Sequence, residues 1–238
     1  MTDTTIAPAN KPLVLRTSIG KKYAMATSGI ILVGFVIVHM IGLLKFFFGP
    51  AHFNEYSSFL RTAGQPVLPH YFALWGLRAL LLAAVSVHIW AAYSTTRQSK
   101  AARPIPYAHT DTIQANYASR TMRWGGVILL LFIVYHILDM TVGVAHVGSF
   151  HETTAEHSTA YANAVSGFQH PIVTLAYTLA MGALCLHLFH GVWSMFQTLG
   201  RGSGKREQML RRLAATISVV VCLGFLAMPW TIMFGGRP

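Results

Sequence analysis

Long apolar runs alternate with shorter polar connections along the whole chain. The apolar runs occupy residues 23–48, 71–96, 123–146, 171–199 and 212–235. A transmembrane helix needs about 20 mostly apolar residues to cross a hydrocarbon core of about 30 Å, whereas a membrane β-strand uses only about ten. The pattern therefore predicts an all-α membrane protein with five transmembrane helices. We expect a polar N-terminal segment over residues 1–22 and a single transmembrane domain over residues 23–236.

The composition agrees with lipid as the main surroundings of this chain. Hydrophobic residues make up 53% of its 238 residues and charged residues only 11%, where a soluble domain is about one-quarter charged. The formal net charge of +11 would suit nucleic acid. However, the basic residues lie between the apolar runs and form no continuous stripe, so we expect no nucleic-acid partner.

Basic residues also predict how the helices are oriented. Lys and Arg accumulate in the N-terminal segment and in the second and fourth connections, around residues 97–123 and 199–212, and residues 147–170 contain none. Cytoplasmic segments of membrane proteins are enriched in Lys and Arg. We therefore expect the N-terminus in the cytoplasm and the C-terminus outside. In the first outer connection, Phe53–Leu60 can form a short helix on the membrane surface.

Histidines lie inside four of the five predicted spans, where ionisable residues are costly and mark function. They are His39, His88, His136 and, in the fourth span, His187 and His190. At about 1.5 Å per residue, His39 and His136 lie about 20–24 Å above the cytoplasmic ends of their spans. His88 and His190 lie only about 14–16 Å above theirs, and His187 sits one turn higher. The spacing predicts an outer pair and an inner pair.

Each histidine pair comes from two helices that run in the same direction, and such helices can face each other across a four-helix bundle. Two neutral imidazoles in this arrangement are the axial ligands of a six-coordinate haem, which transfers electrons because it has no open position. The sequence thus predicts a di-haem four-helix bundle with one additional helix. The alternatives are a zinc site, which needs about four ligands at one depth, and an iron–sulfur site that uses Cys185 and Cys222.

Further side chains in the predicted spans fit the surroundings of such a cofactor. Candidates for binding its propionates are Lys45, Arg78, Arg123, Tyr93 and Tyr135, although snorkelling and interfacial anchoring explain these residue types equally well. Asp139 lies one turn beyond His136 and can accept a hydrogen bond from a ligand, join a proton path, or lie solvated near the surface. Glycines in the spans either let helices approach closely or make room for a macrocycle. These glycines are Gly29, Gly34, Gly42, Gly125, Gly126, Gly182 and Gly191.

Five segments resemble the cytochrome b membrane anchor of succinate dehydrogenase (respiratory complex II), of the single-chain, five-helix, di-haem type. They are His39-Met-Ile-Gly42, Phe48-Gly-Pro-x-x-Phe53-Asn-x-Tyr56-x-x-Phe59-Leu-Arg61, Leu68-Pro-x-Tyr-Phe-Ala-Leu-Trp-Gly-Leu-Arg78, Ala118-Ser-Arg120-Thr-Met-Arg-Trp124 and His187-Leu-Phe-His190-Gly-Val-Trp193-Ser-Met-Phe-Gln-Thr-Leu-Gly200. The sequence departs from the family pattern at Leu43, where the family has Asn. It also departs at Cys185, where some fumarate-reducing relatives have a Glu linked to proton movement.

The resemblance implies a complete cofactor and partner set. It implies two haem b groups bound by His39 with His136 and by His88 with His187. His190 would then support the inner site or bind a propionate. The implied partners are a flavoprotein and an iron–sulfur subunit on the cytoplasmic face of a prokaryotic inner membrane. A higher oligomer of the whole complex is compatible with this arrangement. Electrons from succinate oxidation, a step of the tricarboxylic acid cycle, would enter the respiratory chain through a quinone such as menaquinone.

Three alternatives for function stay open at the level of sequence. The first is a cytochrome b anchor of another quinone-linked oxidoreductase, such as a hydrogenase or formate dehydrogenase. The second is a fumarate reductase, and the third is a transporter that uses membrane histidines as a proton relay. Candidate quinone contacts are Lys22, Tyr23 and Ser28 on the inner side and the surroundings of Arg61 and His70 on the outer side.

Overall fold

A computed structural model describes residues 17–102, 117–200 and 204–236, with the side chains of residues 117–120 left out. All regular structure within these residues is helical. The helices are α1 (Ser18–Leu44), α2 (Pro50–Thr62), α3 (Phe72–Ala101), α4 (Tyr117–Ile137), α5 (Ala160–Phe168), α6 (Pro171–Thr198) and α7 (Gly204–Met233). Five of them, α1, α3, α4 with the turn that follows it, α6 and α7, are long and apolar enough to cross a membrane. The prediction of a five-helix membrane protein is confirmed.

The helices start and end at residues that differ from the ends of the predicted spans. Helix α1 begins at Ser18, after Thr17, whose hydroxyl accepts a hydrogen bond from the amide of Gly20 at 3.0 Å. Helix α7 begins at Gly204, ahead of the predicted residue 212. Lys, Arg, Glu and Gln are good helix formers, so a helix continues through them out of the apolar layer. Most of the predicted N-terminal segment, residues 1–16, lies outside the described residues.

The fifth span occupies a central position in the packing. Helix α7 packs along α6 and also contacts α1, while α3 packs on α1 and α4 packs on α6. One side of α7 is buried in these contacts, including Ala214, Ser218, Val221 and Cys222. Small residues on α7 let its neighbours approach closely, as helix packing in lipid favours. The additional helix thus packs against both α1 and α6, which also contact each other.

An aromatic cluster closes the outer end of the bundle. Phe46 follows α1 in a short 3₁₀ turn (Lys45–Phe48) and is completely buried. Its ring stacks on Tyr161 of α5, with centroids 5.0 Å apart, and packs edge-on against Phe53 of α2. The short helices α2 and α5 therefore form a cap over the outer ends of the spans. Helix α2 contains the predicted surface helix, whereas α5 was not predicted.

Helix α4 does not end in an ordinary α-helical turn. It continues into a π-helical turn, Leu138–Val142, and then reverses at Gly143, whose φ is +86°. A π turn inserts one additional residue and so changes which side chains face inward, and such turns are frequent at functional sites. In this turn Asp139 is buried with an exposed fraction of 0%.

Candidate functional site

The predicted outer histidines lie opposite each other between α1 and α4. The ring centroids of His39 and His136 are 5.9 Å apart, and their planes form an angle of 69°. Three phenylalanines surround the pair, one each from α1, α4 and α7. These are Phe35 (5.3 Å) and Phe225 (5.7 Å) against His39, and Phe132 (5.8 Å) against His136. The outer pair therefore sits in an apolar, aromatic environment.

The predicted inner histidines lie opposite each other between α3 and α6. The ring centroids of His88 and His187 are 6.2 Å apart, with an angle of 59° between the planes. His190, one turn further along α6, packs its ring edge-on against Trp193 at 6.1 Å. Of the two candidates on this helix, His187 is thus the one whose ring faces His88. Among the described residues, Nδ1 of His187 and Nδ1 of His190 are buried without a hydrogen-bond partner.

Contacts from α1 determine which nitrogen of His88 carries a proton. Nδ1 of His88 lies 3.2 Å from the carbonyl oxygen of Met25 and 3.3 Å from the hydroxyl oxygen of Ser28. A carbonyl oxygen only accepts, so the Nδ1–H of His88 must donate. The Ser28 hydroxyl donates to backbone carbonyls of its own helix, the nearer being that of Ala24 at 2.7 Å. His88 is therefore held with its Nε2 lone pair free to bind a metal.

A tyrosine from α6 determines the proton position on His136 in the same way. The hydroxyl of Tyr177 lies 2.8 Å from Oδ2 of Asp139 and 3.1 Å from Nδ1 of His136. Because a tyrosine hydroxyl has one proton and an ionised carboxylate only accepts, Tyr177 donates to Asp139. Its oxygen then accepts from the Nδ1–H of His136. His136, like His88, keeps the Nε2 lone pair available.

Besides the hydrogen bond from Tyr177, Asp139 accepts one directly from a histidine, His146. Nδ1 of His146 lies 2.8 Å from Oδ1 of Asp139, and both side chains have an exposed fraction of 0%. The prediction of a solvated Asp139 near the surface is wrong, because the π-helical turn directs this side chain into the protein. Asp139 reaches the predicted ligand His136 through the hydroxyl of Tyr177.

Two members of this network were missed at the level of sequence. Tyr177 falls within an apolar run of α6, where nothing distinguishes it from an ordinary core aromatic. His146 follows the reversal at Gly143, where no helical periodicity relates it to Asp139. The only available signal was a histidine at the very end of the predicted span 123–146, which already contained one histidine and one aspartate.

Two glycines give the distance between the pairs along the membrane normal. A Cβ added to Gly29 of α1 would lie 3.5 Å from Cε1 of His88, and one added to Gly126 of α4 would lie 3.9 Å from Cε1 of His187. Each glycine therefore lies at the depth of the inner pair. Each also precedes the outer histidine of its own helix, His39 or His136, by ten residues. Both helices thus give a separation of about 15 Å.

The remaining candidate glycines in the spans fall into two groups. Gly42 allows a close approach, because an added Cβ would lie 2.5 Å from Cε1 of Tyr56. At Gly34, Gly125, Gly182 and Gly191 no atom lies within 4 Å of the added Cβ, so close packing of helices does not explain these four positions. A cavity of about 180 Å³ lies beside His187, between α4 and α6, and is lined by Gly125, Trp124 and Leu186 among others.

The candidate cationic and tyrosine partners rest on aromatic rings or face outward. Lys45 lies over the ring of Tyr56 at 5.6 Å, and Arg78 lies over that of Trp75 at 4.8 Å. Tyr135 packs against Tyr177 at 5.9 Å. The remaining candidates, Arg123 and Tyr93, are exposed, as are Lys22 and Tyr23 at the inner end of α1. Ser28, by contrast, is buried against His88.

The inner and outer ends each offer a polar region. At the inner end a cavity of about 460 Å³ is lined by Lys21, Trp90, Tyr93, Ser94, Arg97 and Gln98. At the outer end, Arg61 of α2 donates to the carbonyls of Ser57 (2.8 Å) and Thr153 (3.2 Å). Burial lowers the pKa of this guanidinium, and the nearby Arg78 lowers it further while Tyr71 opposes that shift. His70 lies 3.9 Å from Glu156, and both are exposed.

The cysteines do not assemble with the histidines into a larger donor group. The thiol of Cys222 is buried and contacts the carbonyl oxygen of Met181 at 3.4 Å. Within residues 17–102, 117–200 and 204–236, no three or more His, Cys, Asp or Glu side chains are close enough to hold one metal ion. The donors that this part of the chain brings together are two pairs of histidines, the pair of Asp139 with His146, and the neighbouring thiols of Cys185 and Cys222.

One comparison with known proteins gives a match. A family model described as "Succinate dehydrogenase/Fumarate reductase transmembrane subunit" matches residues 106–227, just over half of the chain. The matched region contains both α4 and α6, and with them His136, His146, Tyr177 and His187. No curated protein and no solved structure matches the chain.

Proposed function

The chain belongs to the family of succinate dehydrogenase/fumarate reductase transmembrane subunits, and we propose that it is a di-haem cytochrome b anchor of a succinate:quinone oxidoreductase. Membership makes it a multi-pass membrane subunit of an oxidoreductase complex, and its five spanning helices agree with that. The observation that carries the finer proposal is the presence of two histidine pairs at different depths. Succinate chemistry itself would belong to the partner subunits.

The spacing within each pair fits one metal ion between two imidazoles. Two nitrogens at about 2 Å from a metal hold their ring centres about 6 Å apart, and the observed separations are 5.9 Å and 6.2 Å. The donor set fits as well, because imidazole is a common axial ligand of haem iron. His88 and His136 already donate their Nδ1 protons, so their Nε2 atoms are available as ligands.

The residues of this chain would hold and orient a haem at each centre, and at the outer centre they would also exclude water. His39 and His136 would hold the outer haem, and His88 and His187 the inner one. A haem b held by two histidines would supply one-electron transfer and little else. Acceptors on α1 and α6 fix the orientation of His88 and His136, as is usual for the outer hydrogen bond of a ligating histidine. The phenylalanines around the outer pair exclude water.

Besides paired histidines, the proposal requires space for two haem macrocycles. Gly29 and Gly126 abut the rings of the inner pair, and Gly34, Gly125, Gly182 and Gly191 have no neighbour within 4 Å of an added Cβ. We assign these openings to the faces of the haem groups. Lys45, Arg78 and His190 remain our candidates for the propionates, because their cationic or donor groups lie in the same helices and turns as the ligands.

The direction of electron entry follows from the distribution of charge. The flavoprotein and iron–sulfur subunits would bind the cytoplasmic face, toward which the basic N-terminal, second and fourth connections point under the predicted orientation. Electrons would then enter at the inner histidine pair. Such a complex would lie in a prokaryotic cytoplasmic membrane, and menaquinone is the acceptor that the sequence resemblance implies.

The inner cavity is the best-supported place for the quinone. It is lined by aromatic rings and by donors, notably Lys21, Trp90 and Gln98. The exposed residues Lys22 and Tyr23 directly follow Lys21 in the sequence. Tyr23→Phe should lower quinone reduction while both haems stay intact. Unchanged turnover would move the site to the outer region around Arg61 and His70.

A visible difference spectrum tests the proposal directly. The purified protein should show a b-type α-band on reduction with dithionite, with about two haems per chain. A colourless protein would refute the proposal and favour the histidine-based transporter. Brown colour without haem would favour an iron–sulfur centre instead.

Co-purification distinguishes the oxidoreductase alternatives. Affinity purification from detergent extracts should recover a flavoprotein and an iron–sulfur protein with succinate dehydrogenase activity. Recovery of hydrogenase or formate dehydrogenase subunits would contradict the assignment to succinate. The family name covers both succinate dehydrogenase and fumarate reductase. Comparing succinate oxidation with fumarate reduction, using the same quinone pool, decides between those two directions.

A further inference from the structure

A buried hydrogen-bonded chain links the outer histidine pair to the outer loop. It runs from His136 to Tyr177 (3.1 Å), from Tyr177 to Asp139 (2.8 Å) and from Asp139 to His146 (2.8 Å). The carboxylate at its centre is fully buried. The inner pair is held differently, because His88 bonds to a backbone carbonyl and a serine hydroxyl.

The donor and acceptor atoms of this hydrogen-bonded chain allow one consistent placement of protons. The Asp139 carboxylate accepts a hydrogen bond from Tyr177 at Oδ2 and one from His146 at Oδ1, and Tyr135 also interacts with it. A fully buried carboxylate without hydrogen-bond partners is costly, and donors directed at its oxygens offset part of that cost. The Nε2 of His146 is also buried and has no hydrogen-bond partner within the described residues. His146 therefore donates its Nδ1–H to Oδ1 of Asp139.

Local backbone geometry builds this pairing. The π-helical turn directs Asp139 inward, and the reversal at Gly143 returns His146 over the same turn. Gly167 of α5 leaves room for the imidazole, since an added Cβ would lie only 2.8 Å from Cε1 of His146. Three separate elements thus cooperate to bury one hydrogen-bonded pair beside a ligand candidate.

We propose that Tyr177, Asp139 and His146 form a positioning chain that fixes the proton of His136 on Nδ1 and increases its electron donation to the outer haem. The inference rests on the proposed function, because it concerns one of the two assigned centres. A histidine whose N–H is bound by an acceptor is a stronger donor to its metal. Here the acceptor is a tyrosine that is itself polarised by a carboxylate. This hydrogen-bonded chain of side chains therefore stabilises oxidised iron at the outer centre only.

Potentiometric redox titration of the intact complex tests this proposal, with the inner centre as an internal control. Asp139→Asn should raise the midpoint potential of the outer haem by at least a tenfold change in the reduction equilibrium, about 59 mV for one electron. Tyr177→Phe should shift it in the same direction by a smaller amount, because it removes the link but keeps the carboxylate. The inner potential should stay unchanged in both variants.

A matched control removes a hydroxyl from the same helix without touching the chain. Thr178 donates to the carbonyl of Thr174 at 2.7 Å and accepts from Trp230 at 3.1 Å. Thr178→Ala should leave both potentials unchanged. An equal shift in Thr178→Ala and Tyr177→Phe would mean that any loosening of α6 moves the potential, and the proposal would fail.

A substitution of His146 tests the last link of this hydrogen-bonded chain. His146→Gln keeps an N–H donor for Asp139, so the outer potential should move by less than in Asp139→Asn. An equal or larger shift would contradict the assignment of Asp139 as the central acceptor. If Asp139→Asn does not retain the outer haem, Tyr177→Phe decides. An unchanged potential in that variant, or loss of the outer haem there as well, would overturn the tuning role. A wild-type protein without haem would instead refute the proposed function.

Discussion

The outer and inner histidine pairs have nearly the same spacing but different supports. Their ring centroids are 5.9 Å and 6.2 Å apart. The outer pair is joined to a buried carboxylate and a further histidine, whereas the inner pair is held by a backbone carbonyl and a neutral hydroxyl. The spacing of a histidine pair and its electrostatic environment are therefore set independently. The first comes from helix register and the second from the groups that accept the ligand N–H.

The two pairs also differ in how tightly they are packed. Three phenylalanines contact the outer rings, while the inner rings face glycines and a cavity of about 180 Å³. Tight packing in a low-dielectric environment strengthens electrostatic interactions. A charge beside the outer pair therefore acts more strongly than one beside the inner pair would.

The largest expected effect comes from removing one ligand from each pair in turn. His39→Ala should abolish the outer haem and leave the inner one, and His88→Ala should do the reverse, each lowering the haem content from two to about one per chain. Haem quantification with potentiometry identifies which centre remains. His190→Ala separates the two candidates on α6: its ring faces Trp193, so both haems should be retained even if a propionate contact is lost. Loss of the inner haem in that variant would transfer the ligand role from His187 to His190.

A smaller effect is expected from a substitution that shifts His146 relative to Asp139 but changes no charged residue. In Gly167→Ala the new Cβ would lie 2.8 Å from Cε1 of His146 and 3.2 Å from the terminal methyl of Met140. Such overpacking costs about 1–3 kcal/mol. The outer potential should shift and the thermal midpoint of the complex should fall, while the inner potential stays the same.

Gly76→Ala provides the comparison for that substitution. No atom lies within 4 Å of an added Cβ at Gly76 of α3. Alanine is the better helix former, so this variant should be neutral or slightly stabilised, by up to about 1 kcal/mol. A similar loss of stability in both variants would show that contact with His146 is not the cause.

The smallest effect is expected at the inner pair. Ser28→Ala removes the hydroxyl 3.3 Å from Nδ1 of His88, but the carbonyl of Met25 at 3.2 Å remains as an acceptor. The inner haem should be retained and its potential should move less than the outer one does in Tyr177→Phe. Quinone reduction measured in parallel should be less affected than in Tyr23→Phe, because Ser28 is buried. A stronger effect in Ser28→Ala would place this serine in the quinone site.

Hydropathy and helical rise were sufficient to predict the five spans and the order of the histidines in depth. These features depend on position along single helices, and the structure places His39 opposite His136 and His88 opposite His187. The burial of Asp139 was not predictable, because it depends on a π-helical turn that changes which residues face inward. His146 and Tyr177 were missed since they meet Asp139 only through tertiary packing.

The ten-residue interval shared by α1 and α4 has an evolutionary consequence. Each of these helices places a histidine in one pair and a glycine beside the other pair, so each contributes to both pairs at once. One residue inserted or deleted within that interval would rotate the histidine relative to the glycine by about 100° around the helix axis. Point substitutions can therefore change the centres one at a time, but length changes there would damage both together. The loops can vary in length across descendants, whereas these two segments are expected to be inherited without gaps.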